Sequence, residues 1–355
     1  MKLNRLTRPL VAAALTLLTP ALLLAAPLAD RVPAQTNIYV GWAGGEATVE
    51  KIDGTRAGNL LEASNLPAVL ETLVPRIADR VAREDERVGE VVAHVGELVQ
   101  ALADKPGALF FGGIGANQFD PGEPAPRIGL IIDAGDDVLE VRGRFERIFN
   151  DFDQDILRAL LKNDDRYVMM YFGYEDLELV EAVNGQASLA DDAQFNDAIE
   201  SVGGGVGGGD VVAYVDVQAM LRMIDDVVEE GGDREAQQNW PVLRDALGLA
   251  GIDFAVGSGA FDAERDGLWV TRGFLAAESP RAGLLGFNDG PLDTEILAAV
   301  PQDATFLNAN KFDLQAFFDT IKATATAIDP EADATIRQVL GFANLFVGRN
   351  IERDI

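Results

Sequence analysis

The sequence predicts an α+β protein: antiparallel sheets with packed amphipathic helices and a degenerate internal repeat. Three observations carry that expectation. Short apolar and aromatic runs are bounded by proline- and glycine-containing turns, as strands are. Two pairs of such runs face each other across turn-rich connections, as hairpins do. Between them, apolar residues recur at spacings of three and four, as on the buried stripe of a helix.

Taken in order, residues 1–29 read as a secretory signal. Lys2, Arg5 and Arg8 precede any acid, and Leu10 to Ala26 is apolar apart from Thr16, Thr19 and Pro20. A cationic start, a short apolar middle and small residues at the exit form the signal-peptide layout. Ala29 suits the residue before a cut, but Pro27 stands where a small side chain is usual, and a cut after Ala26 would leave Pro27 first in the chain. The competing reading is an uncleaved N-terminal anchor, although the apolar run falls short of the ~20 residues that span a bilayer.

Val32-Pro33 then feeds a strand at Asn37 to Val40. Proline fixes the entry angle without costing a ladder hydrogen bond. A helix is expected over residues 67–82, broken near Pro75, and another through Val88, Val91, Val92, Val95, Leu98, Val99 and Leu102. Ala108 to Phe111 should pair with Ile128 to Ile132, followed by a strand at Tyr167 to Phe172. Ser188 with Asp191 three residues later marks a helix start, running to about Ser201. Asp210 opens a second strand start at Val211 to Val217, with a helix from Gln218 to Val228. Phe254 to Val256 should pair with Leu268 to Thr271. Val300-Pro301 opens a third start before Thr305 to Asn308, with a helix from Leu314 to Ile321. The repeated unit is strand, helix, hairpin. The expected domains are 30–202 and 210–355, joined by the glycine run 203–209. For the second, an incomplete C-terminal end and a natural terminus both stay open, the first because Asn350 to Ile355 resembles the helix start at Phe152 to Ile156.

Composition excludes several functions. There is no cysteine, so thiolate ligands, thiol catalysis and disulfides are all absent. The net charge is −29, and removing residues 1–29 would take away three cations and no acid. Such a field repels nucleic acid and anionic membrane surfaces. It suits a soluble surface in a salty exterior, or one that holds divalent cations.

Most motifs fail on context. The run Gly203 to Gly209 contains a G-x-G-x-x-G match, but it follows a helix and precedes a strand, the reverse of a dinucleotide site. The single histidine, His94, lies within an amphipathic stretch without a visible partner, and Gly257-Ser258-Gly259 lacks the outer glycines of a nucleophile elbow. One histidine and no cysteine cannot assemble a closed zinc site. No cofactor is expected, and calcium is the one metal the residue types leave open. Asp151, Asp153 and Asp155 alternate as calcium-loop ligands do, yet Ile156 replaces the turn glycine and Lys162 the bidentate glutamate. The acidic turns Asp133 to Asp137 and Asp329 to Asp333 read equally as helix caps. Of the three tryptophans, Trp42 is the candidate ligand contact, at a strand end beside Gly41, Gly44 and Gly45.

The signal, the segment Arg31 to Thr36 leading to Tyr39-Val40-Gly41-Trp42, and Ser188 to Phe195 before Val212 to Asp216 together carry a resemblance. The chain resembles a family of exported bacterial proteins of unknown function, with repeated strand-helix-hairpin units. The resemblance implies an exported α+β protein and transfers no reaction or catalytic residue. The expectation is therefore a non-catalytic periplasmic, cell-surface or secreted module with a macromolecular or envelope partner. The alternative is a calcium-dependent or carboxylate-based envelope hydrolase.

Overall fold

The computed structural model describes residues 28–64, 104–116, 123–151, 161–174, 187–202, 210–262, 266–278, 313–329 and 331–347, with 76, 80, 283 and 286. Its strands are β1 (Ile38–Trp42), β2 (Gly107–Ala116), β3 (Pro124–Asp133), β4 (Leu161–Asn163), β5 (Tyr167–Phe172), β6 (Val211–Asp216), β7 (Ile252–Asp262) and β8 (Leu268–Ala277). The helices are α1 (Gly45–Ile52), α2 (Arg56–Ser64), α3 (Val138–Asp151), α4 (Ala193–Ser201), α5 (Val217–Glu230), α6 (Arg234–Ala246), α7 (Leu314–Ile328) and α8 (Ala332–Val347). The class is α+β, with the eight strands in one antiparallel sheet ordered β4-β5-β3-β2-β1-β6-β7-β8.

The expected hairpin forms with Ala108 opposite Ile131 and Phe111 opposite Ile128, and β5 has the predicted limits. The helix limits differ at Ser188. Its capping box with Asp191 closes a 3-10 turn, Leu189–Asp191, and α4 starts anew with Asp192 accepting from the Phe195 N–H at 2.8 Å. Two adjacent acids offer two successive caps, so the chain bends between them. The predicted helices at 67–82 and 88–102, the strand at Thr305 to Asn308 and the glycine run lie outside the described residues, apart from Arg76 and Arg80.

The chain divides into two compact units, Met1–Asp216 with Ala255–Phe274, and Val217–Phe254 with Leu275–Ile355. The division does not fall at residues 203–209. The reason is pairing: β6 lies antiparallel to β1, with Tyr214 opposite Tyr39, and therefore belongs to the sheet of the first unit. A glycine-rich composition indicates a pliable chain but says nothing about where the next strand pairs.

In the first unit, side chains alternate between the two faces of the sheet. Across one face runs a single row of paired positions, Tyr214, Tyr39, Phe110, Gly129 and Tyr171. The four aromatics are each at most 2% exposed. Gly129 is needed because a Cβ there would stand 2.0 Å from the Phe110 ring. From α4, Phe195 meets Tyr39 and Tyr214 edge-on, at centroid distances of 5.4 and 5.2 Å. Such edge contacts add to the area that the rings bury. On the other face α3 lays Val138, Val141, Phe145 and Phe149, spaced three and four apart, over Trp42, Leu130, Ile132, Leu161 and Val168.

In the second unit, Asp225 of α5 accepts from the Trp240 indole at 2.6 Å and from Arg244 at 3.0 and 3.2 Å, which fastens α6 beside it. Asp329 accepts from the Glu331 N–H at 2.9 Å in the turn between α7 and α8.

Candidate functional site

At the end of β1 the chain turns sharply into α1. Gly44 adopts φ +84°, and a Cβ there would lie 2.7 Å from the Lys105 carbonyl carbon and the Pro106 nitrogen. Glycine thus permits both the left-handed backbone and the close approach of residues 104–106. The Trp42 indole N–H secures this approach by donating to the Lys105 carbonyl at 2.8 Å. Opposite, the 3-10 turn Gly135–Asp137 leads into α3.

Between these elements opens a cleft of about 660 Å³. Val49 and Val141 give it an apolar lining, and its charged groups come from three segments: Glu46, Glu50 and Asp53 in and after α1, Asp104 and Lys105 before β2, and Asp137, Glu140 and Arg144 around the start of α3. Lys105 bonds Asp137 at 2.5 Å, and Arg144 bonds Glu140 at 2.8 Å. The hydrogen bond to Asp137 raises the Lys105 pKa above its ordinary value. Partial burial opposes the rise, while the charges of Asp137, Glu46 and Asp104 support it. Among the described residues, no cation pairs with Glu46, Glu50, Asp53 or Asp104. Six carboxylates and two cations leave the cleft with a formal charge of −4.

The residues singled out from the sequence fall as follows. Trp42 is 3% exposed in the core and touches the cleft region through its bond to Lys105. Its ring lies over Gly107, directly opposite in β2, where a Cβ would stand 2.2 Å away. Asp151 ends α3, while Asp153, Asp155 and His94 lie outside the described residues. Asp133 receives a two-pronged contact from Arg166 at 2.6 and 2.9 Å. In the second acidic turn, Asp333 pairs with Lys322 at 3.6 Å and with Arg337. Ser258 is buried within β7 rather than at a strand-to-helix turn. Among the described residues no three His, Asp or Glu side chains converge as metal ligands.

Sequence reasoning missed the cleft acids other than Asp137, which ends the first acidic turn. Their signal was present in part, since Glu46, Glu50 and Asp53 are spaced four and three apart and so share one helical face.

It also missed an ion pair with one fully buried partner. Asp210 is fully buried, and its carboxylate bonds Lys51 and accepts the Phe261 N–H at 2.7 Å, while its own N–H donates to the Gly259 carbonyl at 2.6 Å. The pair ties α1 to the sheet. Charges removed from water are retained where hydrogen bonds satisfy them, as here.

Comparison with protein-family models, with curated proteins and with solved structures found no match.

Proposed function

We propose that the chain is an exported, non-catalytic binding module of the cell envelope or cell surface, and that the cleft between α1 and α3 receives a cationic segment of a macromolecular partner. The observation that carries this reading is the cleft's charge. Lys105 and Arg144 each neutralise one acid, and among the described residues Glu46, Glu50, Asp53 and Asp104 have no cation partner around an apolar lining. A lysine side chain matches both features, because its methylene stem can lie against Val49 while the ammonium reaches the carboxylates. Complementary charge of this kind speeds encounter and fixes orientation more than it adds affinity, so the interaction is expected to weaken steeply with salt.

The test is calorimetric titration with a lysine decapeptide at low ionic strength, beside a glutamate decapeptide. Saturable binding of the lysine peptide should weaken at least tenfold in Glu46→Lys/Glu50→Lys. Equal binding by this variant and the unaltered chain would exclude the cleft as the contact.

A further inference from the structure

Resting on the export reading above, we propose that processing of the export signal leaves Leu28 and Ala29 on the mature chain, the hydrolysed peptide bond following Ala25 or Ala26 and not Ala29. The reaction consumes one water, giving an alanine carboxylate on the released signal and a new amino terminus on the protein.

The first described residues are structural parts of the first unit. Leu28, Ala29 and Val32 are 8%, 5% and 0% exposed. The Leu28 carbonyl accepts from the Arg31 N–H at 2.8 Å, and the Ala29 carbonyl from the Val32 N–H at 3.4 Å, closing the 3-10 turn Ala29–Arg31. Leu28 holds φ +77°, a left-handed conformation that a leucine keeps only where its surroundings fix it. The turn is itself anchored. The Arg31 guanidinium lies 4.9 Å from the Tyr167 ring centroid, the Val32 carbonyl accepts from the Leu189 N–H at 2.8 Å, and Pro33 forms a bridge with Ser188.

Hydrolysis after Ala29 would delete two buried apolar side chains and both carbonyls that close the turn. It would also put a charged ammonium on Asp30, beside the core position that Ala29 now fills. The peptide sequence does not discriminate: the position that calls for a small side chain holds Pro27 for a cut after Ala29 and Leu23 or Leu24 for a cut after Ala25 or Ala26, so the packing of Leu28 and Ala29 decides.

The full chain is expressed in a bacterial host, and protein recovered from outside the cytoplasm is examined by intact mass and N-terminal sequencing. An amino terminus at Ala26 or Pro27 is expected. A terminus at Asp30 overturns the proposal, as does an uncut chain found outside, which leaves the export reading standing. An uncut chain found only inside the cell overturns both. Leu28→Asp in the same full chain gives an independent readout. The exported product should melt at a lower temperature if Leu28 is retained, and an unchanged melting temperature overturns the proposal.

Discussion

Alkali should unfold the first unit through its buried tyrosines. Tyr39, Tyr171, Tyr174 and Tyr214 are 0%, 2%, 7% and 2% exposed. Burial is the main cause that raises the pKa of each. Asp30 adds to it at Tyr39, Tyr174 and Asp164 at Tyr171, and Asp216 and Asp192 at Tyr214. Arg127 opposes it at Tyr174, which is pushed up to about 12, and the bond from Gln194 opposes it at Tyr214. A folded value above the unfolded one means that the stability is whole below the unfolded pKa, near 10, and is lost as pH rises toward the folded values. At pH 11 the unfolded chain gains about 1.4 kcal/mol for each tyrosine that ionises only there. Tyr39, Tyr171 and Tyr174 together therefore remove about 4 kcal/mol, with a further share from Tyr214, out of a typical total of about 5–15 kcal/mol. Near-ultraviolet tyrosinate absorbance, followed beside far-ultraviolet circular dichroism, should rise with the loss of secondary structure at about pH 11–12. Absorbance equal to four tyrosinates below about pH 10.5, with the dichroism unchanged, would refute the burial argument. Tyr174→Phe sharpens the test, because the Tyr174 hydroxyl is buried without a hydrogen-bond partner among the described residues. Its removal should be neutral or stabilising by up to about 1 kcal/mol at pH 7 and should gain roughly a further 1.4 kcal/mol at pH 11.

Two further outcomes follow from packing. Lys51→Met removes the cation from the fully buried Asp210 carboxylate, which keeps the Phe261 N–H, and the cost should be about 2–3 kcal/mol, below the ~3–5 of a wholly buried pair because the Lys51 side chain is 40% exposed. Adding Asp210→Asn should recover at least about 1 kcal/mol in denaturant titrations, and strict additivity of the two costs would show that the pair is not coupled. Gly129→Ala drives a Cβ to 2.0 Å from the Phe110 ring, which is 1% exposed and cannot swing outward. It should cost about 1–3 kcal/mol, or roughly 2–4 °C of melting temperature per kcal/mol, and an unchanged melting point would contradict the packing of that row.

The strands were more legible than the helices. Hairpin β2-β3, strand β5 and the start of β6 follow from apolar runs and turn residues, because both signals are local. Helix α3 went unread although Val138, Val141, Phe145 and Phe149 mark its buried stripe, and only the acidic turn before it was singled out. Pairing was not legible. Nothing between Ser201 and Val211 says that β6 will return beside β1, since that choice rests on Tyr39, Tyr214 and Phe195 meeting in space. The strand order places β1 and β6 side by side, each with a hairpin beyond it. A duplicated strand-helix-hairpin unit would generate that order, and it remains a proposal that the order itself motivates.

The cleft illustrates the same limit for charge. A chain with 58 acids and 29 Lys and Arg residues cannot pair every carboxylate, so the excess has to lie somewhere. The i,i+4 ion pairs Arg142–Glu146, Arg144–Glu140 and Arg337–Asp333 use cations on their own helices, which composition and spacing do reveal. What they leave over is decided by tertiary structure. Gly44 lets α1 approach residues 104–106, Trp42 holds that approach, and α3 is set opposite by its own apolar stripe on the sheet. Three acid-bearing segments far apart in the chain thereby face one another, and bringing like charges together opposes folding at low salt. Bound cationic groups or screening ions would relieve that repulsion, so stability should rise with ionic strength in the unaltered chain and rise less in Glu46→Lys/Glu50→Lys, whose added lysines supply the relief internally.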